Sequence, residues 1–165
     1  MHEETIPNPT LNNKKLMKIF LHAGCGSLYK SSCLGFNNDN WKEIRFDIDE
    51  GNNPDIVGKL TDMKSVVTGS VDAVYSSQNI EHIYPHEVPI ALREFHRVLK
   101  EDGIVVIHCP DLQSVCKAVL EGGLLEPIYD SPAGPITPID VLYGHRVEIA
   151  EGNEYMAHKG GFTYS

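Results

Sequence analysis

Lys18-Ile19-Phe20-Leu21-His22-Ala23-Gly24-Cys25-Gly26 is a short apolar run that breaks into a glycine turn. Such a run predicts a strand ending in a tight bend. Gly24-Cys25-Gly26 permits a close backbone approach that a Cβ would block. A helix opening after the turn would offer free N–H groups and a partial positive charge to a ligand carboxylate. An ordinary tight turn would read the same way, so the flanking sequence has to decide.

Outward from the turn, Trp41 to Phe46 is a second strand candidate closing at Asp47-Ile48-Asp49, followed by turn chemistry at Asn52-Asn53-Pro54. Asp55-Ile56-Val57-Gly58 and Val71-Asp72-Ala73-Val74-Tyr75-Ser76 supply a third and a fourth. Val88, Ala91, Leu92, Phe95, Val98 and Leu99 form one apolar stripe at helical spacing, with Arg93, Glu94, His96, Arg97 and Lys100 opposite. Pro89 fits only in the first turn, so this helix is expected to begin near His86 and to end at Glu101-Asp102-Gly103. Ile104 to Cys109 is continuously apolar, as in a strand buried within a parallel sheet. Pro110-Asp111 then opens a helix running to about Glu121 and stopped by Gly122-Gly123. Strands alternating with helices predict an α/β fold with right-handed crossovers and a ligand site at the strands' carboxyl ends.

Three segments are expected: an arm over residues 1–15, the main domain over 16–123, and a lid over 124–165. Pro127, Pro132, Pro135 and Pro138 sit among apolar residues in the last segment, which lacks periodicity yet is too apolar for disorder.

A chain of 165 residues fits one domain with its own core, and 41% hydrophobic residues is an ordinary globular share. No apolar run is long enough to span a membrane, and Met1-His2-Glu3-Glu4 lacks the basic start of a secretory signal. A cytoplasmic location is expected. The net charge of −9 disfavours a nucleic-acid partner. Cys25, Cys33, Cys109 and Cys116 form no C-x-x-C pair, so free thiols are expected. His82 and His86 stand four apart, but Pro85 lies between them and no third ligand is apparent, so no metal is assigned.

Asp47 lies 21 residues beyond Gly26, where an acid can accept two hydrogen bonds from a ribose diol. A solvated strand-end carboxylate is the plainer reading, and Asp49 competes for the role. A nicotinamide dinucleotide (NAD) site would suit these features too. Tyr29, however, occupies the place of the fingerprint's third glycine, and the chain is too short for a separate substrate domain.

Several segments together resemble the class I S-adenosylmethionine (SAM)-dependent methyltransferases, and most nearly a group of small members like methyltransferase type 11. Leu21-His22-Ala23-Gly24-Cys25-Gly26 is similar to the family's first motif and Arg45-Phe46-Asp47-Ile48-Asp49 to its second. Lys59-Leu60-Thr61-Asp62-Met63 resembles the third, and Val71 to His82, ending Ile80-Glu81-His82, the fourth-strand segment. Ala91 to Lys100, followed by Gly103, is similar to the helix-to-fifth-strand signature.

The resemblance implies a Rossmann-like three-layer sandwich with strand order 3-2-1-4-5, and a methyl transfer from SAM that leaves S-adenosylhomocysteine. It implies that His22, Gly24, Cys25 and Gly26 lie along the methionine part of SAM and that Asp47 and Ile48 meet the ribose. Asp62 and Met63 would face the adenine, and Ser77 and Gln78 the sulfonium. Glu81 and His82 would belong to the wall of that site. His22 stands where many relatives carry an acid, Leu28 where the longer motif carries a glycine, and Gln78 where a histidine is frequent.

The family's terminal helix and hairpin of strands six and seven are expected to be missing, with Gly160-Gly161-Phe162-Thr163 as the start of that part and the chain truncated. The free edge of strand five would then invite pairing with a second copy. Tyr143, His145, His158, His108 and Asp111 are candidates for a general base, Asp111 being equally a helix cap. The acceptor is expected to be a small molecule rather than a macromolecule. The competing readings are a SAM-fold binding module without catalysis and an NAD-dependent oxidoreductase.

Overall fold

The computed structural model describes residues 16–131 and 134–164; the expected N-terminal arm lies outside the described residues. Five strands form the central sheet: β1 (Lys18–Ala23), β2 (Trp41–Asp47), β3 (Ile56–Val57), β4 (Val71–Ser77) and β5 (Leu99–His108). Every pairing is parallel and the order is β3-β2-β1-β4-β5, the Rossmann-like order. The chain builds outward from β1 on one flank and then returns to place β4 on the other. The carboxyl ends of β1 and β4 therefore border the switch point where such sheets bind ligands.

Side chains alternate across the sheet. Leu21, Ala23 and Val74 enter one core with Phe46 and Met63, and Phe95 and Val98 of helix α1 (Val88–Val98) close over them. Phe20, Ala73 and Tyr75 enter a second core on the opposite face, covered by Cys33 and Phe36 and flanked by Trp41. The second cover is irregular chain. Where a helix was expected after Gly26, the structure has only a 3-10 turn at Lys30–Ser32. Gly35 and Asn37-Asn38-Asp39-Asn40 favour turns over helix, while Phe36 holds the loop down by ring contacts to Phe20, Trp41 and Tyr75 at 4.7, 4.8 and 5.5 Å.

The connection from β3 to β4 also lacks an α-helix and is held by α1. Glu94 accepts the Met63 N–H at 2.7 Å, and Arg97 donates to the carbonyls of Met63 and Val66 at 2.8 and 3.0 Å. The polar flank of the helix thus satisfies backbone groups that a regular element would have paired internally.

Two boundaries differ from expectation. Helix α1 ends at Val98, and Leu99 through Gly103 enter β5, with a register shift opposite Val71 and Ala73. β5 is an edge of the sheet, as expected without strands six and seven, but the apolar run from Ile104, which reads as covered on both faces, leaves Ile104 and Val105 52% and 45% exposed. An apolar run reports strand propensity without reporting which neighbour covers it.

Helix α2 (Leu112–Gly122) starts where Asp111 accepts the N–H groups of Gln113 and Ser114, so the capping reading of Asp111 holds. Beyond it lie an antiparallel hairpin, β6 (Tyr129–Ser131) with β7 (Gly134–Ile136), then α3 (Pro138–Tyr143) and α4 (Arg146–Ala150). These elements run from three to six residues, too short to print a period on the sequence. Val115, Ile136 and Val141 join α2, hairpin and α3 in a third small core. The hairpin stands apart from the central sheet, which ends at β5 among the described residues. Gly160–Thr163 does not begin a sheet hairpin. Phe162 bridges Asp111 and accepts the Leu112 N–H at 2.8 Å. Among the described residues no helix is long and apolar enough to cross a membrane.

Phe95 is 1% exposed at the centre of the first core. Phe95→Ala should lower the stability by about 3–5 kcal/mol, read as a shift of the urea midpoint at unchanged slope.

Candidate functional site

The backbone at the end of β1 is held by side chains from its two neighbours. Asp47, at the end of β2, accepts the Gly26 N–H at 2.7 Å with one oxygen and the Asp49 N–H at 2.8 Å with the other. Arg45 is 5% exposed, and its guanidinium donates to the carbonyls of Gly26, Leu28, Asn52 and Asn53 at 2.6–3.1 Å. It ties the glycine turn to the turn after β2, beneath the ring of Tyr29 at 4.2 Å.

On the other side Asn79, just beyond β4, donates to the carbonyls of Ala23, Gly24 and Ser77 at 2.7–3.2 Å. Gly24 has φ +72, and a Cβ there would collide with the Asn79 amide. Gly26 has φ +50, and a Cβ there would meet nothing within 4 Å. The first glycine makes room for the clamp; the second leaves open space beside the turn.

The structure thus brings Gly24, Cys25, Gly26 and Asp47 into one turn, with Ile48 38% exposed beside it. Ser77 and Gln78 stand at the neighbouring exit, where Gln78 takes a left-handed φ of 56° and donates its N–H to the His108 carbonyl at 2.9 Å. The other expected residues are engaged elsewhere. The His22 ring is buried on the second-core face, with Nδ1 2.7 Å from Glu43 and Cys33 Sγ nearby. Burial lowers its pKa, against the pull of the Glu43 hydrogen bond. Asp62 is exposed and paired with Lys64 at 2.8 Å, which lowers its pKa through that hydrogen bond. The Met63 side chain is wholly buried in the first core. Burial raises the thiols of Cys25 and Cys33 to about 11 and about 12, so both are unreactive at neutral pH.

Beyond β4 the chain forms a 3-10 turn, Ile80–His82. Glu81 is 1% exposed, and neither carboxylate oxygen has a hydrogen-bond partner. Burial pushes its carboxyl up to about 7. His158 arrives from the far end of the chain and sets its ring 4.6 Å from that of His82. This juxtaposition supplies a third titratable group that sequence spacing did not reveal. His86 instead stacks on Tyr84, at 5.6 Å.

A cavity of about 310 Å³ adjoins the exits of β4 and β5, lined in part by Gln78, Pro110, Asp111, Ile128, Tyr129 and Val141. Among the proposed bases, only Asp111 lines it. Its carboxyl is held down to about 2, chiefly by the Ser114 hydroxyl. Tyr143 is 65% exposed, His145 lies 3.8 Å from Glu148, and His108 packs edge-on against Tyr75. Arg45 and Asn79 had no role in the sequence reading. A buried arginine cannot be told from a surface one by its neighbours in the chain.

The sequence profile described as a methyltransferase domain matches residues 21–107, from the middle of β1 to the end of β5. Among curated proteins none matches. A solved Pyrococcus horikoshii protein is 21% identical, with a TM-score of 0.55, over 71% of this chain and 59% of its own. A SAM-dependent methyltransferase from Archaeoglobus fulgidus is 17% identical, with a TM-score of 0.48, over 87% of this chain and 83% of its own. The chain therefore spans about three-fifths of the length of the Pyrococcus protein, whose likeness is one of fold. Because the profile covers more than half of the 165 residues and every strand of the central sheet, the chain belongs to the methyltransferase domain family.

Proposed function

We propose that this protein binds SAM across the β1 turn and transfers its methyl group to a small-molecule acceptor. The observation that carries the reading is the carboxylate of Asp47 held against the Gly26 N–H, beside open space at Gly26. A nucleoside laid there would find an acid for its ribose hydroxyls and a backbone free of Cβ atoms on the approach side. Gly24 and Cys25 border the methionine part, Ile48 offers an exposed apolar surface, and Ser77 and Gln78 face the sulfonium end. Asp62, exposed and paired with Lys64 through one oxygen, would offer the other to an adenine amino group.

SAM, when bound, supplies a methyl group already activated by the sulfonium, so much of the acceleration comes from holding the acceptor in line. The cavity beside Gln78 has the size of a small-ligand pocket. The apolar side chains of Ile128, Val141 and Tyr129 there would exclude water from an acceptor. A cytoplasmic setting suits the free thiols of all four cysteines.

Calorimetry with S-adenosylhomocysteine, SAM and NAD tests the assignment. Tight binding of the two sulfur nucleosides in preference to NAD is expected. Asp47→Ala should weaken S-adenosylhomocysteine about thirtyfold, the equivalent of about 2 kcal/mol. An unchanged affinity would remove Asp47 from the site, and a preference for NAD would overturn the reading. Gly24→Ala meets both a left-handed backbone and the Asn79 clamp. It should cost about 1–3 kcal/mol of stability, visible as a lowered Tm, and should weaken nucleoside binding because the turn can no longer close on Asn79.

A further inference from the structure

Glu81, His82 and His158 lie outside the glycine turn, and one donor atom from each falls within 4.8 Å of the other two. Nδ1 of His82 lies 3.2 Å from the Ala157 carbonyl, and Nδ1 of His158 lies 2.7 Å from the Val141 carbonyl. A carbonyl only accepts, so each Nδ1 carries the proton and each Nε2 presents a lone pair. Backbone carbonyls orient metal-binding histidines in this way.

Glu81 completes the trio, 1% exposed and without a hydrogen bond to either oxygen. An unpaired buried carboxylate is costly in any fold, and nothing among the described side chains compensates it. Lys159, the adjacent cation, is turned over the ring of Tyr84 at 5.3 Å. The chain also goes to some length to complete the trio. The His158 N–H donates to the Tyr143 carbonyl at 3.1 Å, and Lys159 and Gly160 both donate to the Glu81 carbonyl, at 2.8 and 3.0 Å. Gly144 has φ +98, and a Cβ there would strike the Met156 carbonyl, so this glycine is what lets the terminal strap lie down.

We propose that Glu81, His82 and His158 bind a divalent transition-metal ion of the zinc type, with at least one coordination position open. Two neutral imidazoles and one carboxylate form a donor set that zinc accepts, at about 2.0–2.2 Å from the metal. Donors at that distance stand about 3.3 Å apart in a tetrahedron, so small side-chain rotations close the present spacing. Val141, whose carbonyl orients His158, is also a wall of the cavity. The other candidate trio, His22, Cys33 and Glu43, is already joined internally by the His22–Glu43 hydrogen bond at 2.7 Å and carries no such vacancy in its hydrogen bonding.

The test is titration of the metal-stripped full chain with Zn2+ by calorimetry and with Co2+ by visible absorption. One equivalent should bind, and the cobalt form should show d–d bands of a low-coordinate nitrogen–oxygen site without a thiolate charge-transfer band in the near ultraviolet. Glu81→Gln and His158→Asn should each weaken binding at least about a hundredfold, since loss of a supporting partner alone costs ten- to a hundredfold. His22→Gln should leave it unchanged. Histidine nitrogen NMR of the unmutated chain serves where a variant does not fold. Zn2+ should shift Nε2 of two rings, and only those two. No binding, a thiolate band, full affinity in the Glu81 and His158 variants, or unshifted His82 and His158 nitrogens would each overturn the assignment. S-adenosylhomocysteine binding, which uses the glycine turn, should persist in His158→Asn, so the metal site and the methyl-donor site fail independently.

Discussion

A tight turn at the end of a buried parallel strand has backbone groups that must be paired without a helix to receive them. In this protein three side chains do that work. Asp47 takes the Gly26 N–H, Arg45 donates to the Gly26 carbonyl, and Asn79 reaches across to the carbonyls of Ala23 and Gly24. The turn is thereby fixed to β2 on one side and to β4 on the other, and the switch-point hollow takes its shape from that triangle. Arg45 is the most constrained member. A buried guanidinium is tolerated because four carbonyls share its donors and the Tyr29 ring covers its face.

The same economy recurs elsewhere in the sheet. Where a helix would ordinarily cover the second face, Cys33 and Phe36 cover it from a loop. Where a helix would ordinarily follow β3, Glu94 and Arg97 of α1 hold the chain by its backbone. Apolar burial is non-directional, so a loop that delivers a few large side chains can seal a core as a helix does. It then needs polar side chains to satisfy its backbone, and those are the buried or half-buried charges of this protein. The segment after α2 works similarly. Short elements pack around Val115, Ile136 and Val141, and the strap from Ala157 to Phe162 returns over the exits of β4 and β5.

Two chemically distinct regions result at one end of the sheet. One is the glycine turn with its acid, built from adjacent strands and suited to a nucleoside. The other is the trio of Glu81, His82 and His158, assembled from a 3-10 turn and the terminal strap. Both lie at the carboxyl ends of the central strands, and no residue belongs to both.

The sequence alone determined the strands, the glycine bend, the helix stripe of Val88 to Val98, the strand order through its family resemblance, and the acid at Asp47. Apart from the strand order, each of these is a local pattern: a period, a turn residue, a spacing along a strand. It did not determine that a loop replaces the first helix, because loop and helix differ there by the tertiary contacts of Phe36 and Cys33. It did not reveal that Met63 is spent on the core, or that Arg45 and Asn79 clamp the turn. Nor could it bring His158 to Glu81, residues far apart in the chain whose meeting depends on the reversal at Gly144. Burial and long-range pairing are properties of the folded backbone, and only the tertiary structure decides which polar side chains end up facing one another without water between them.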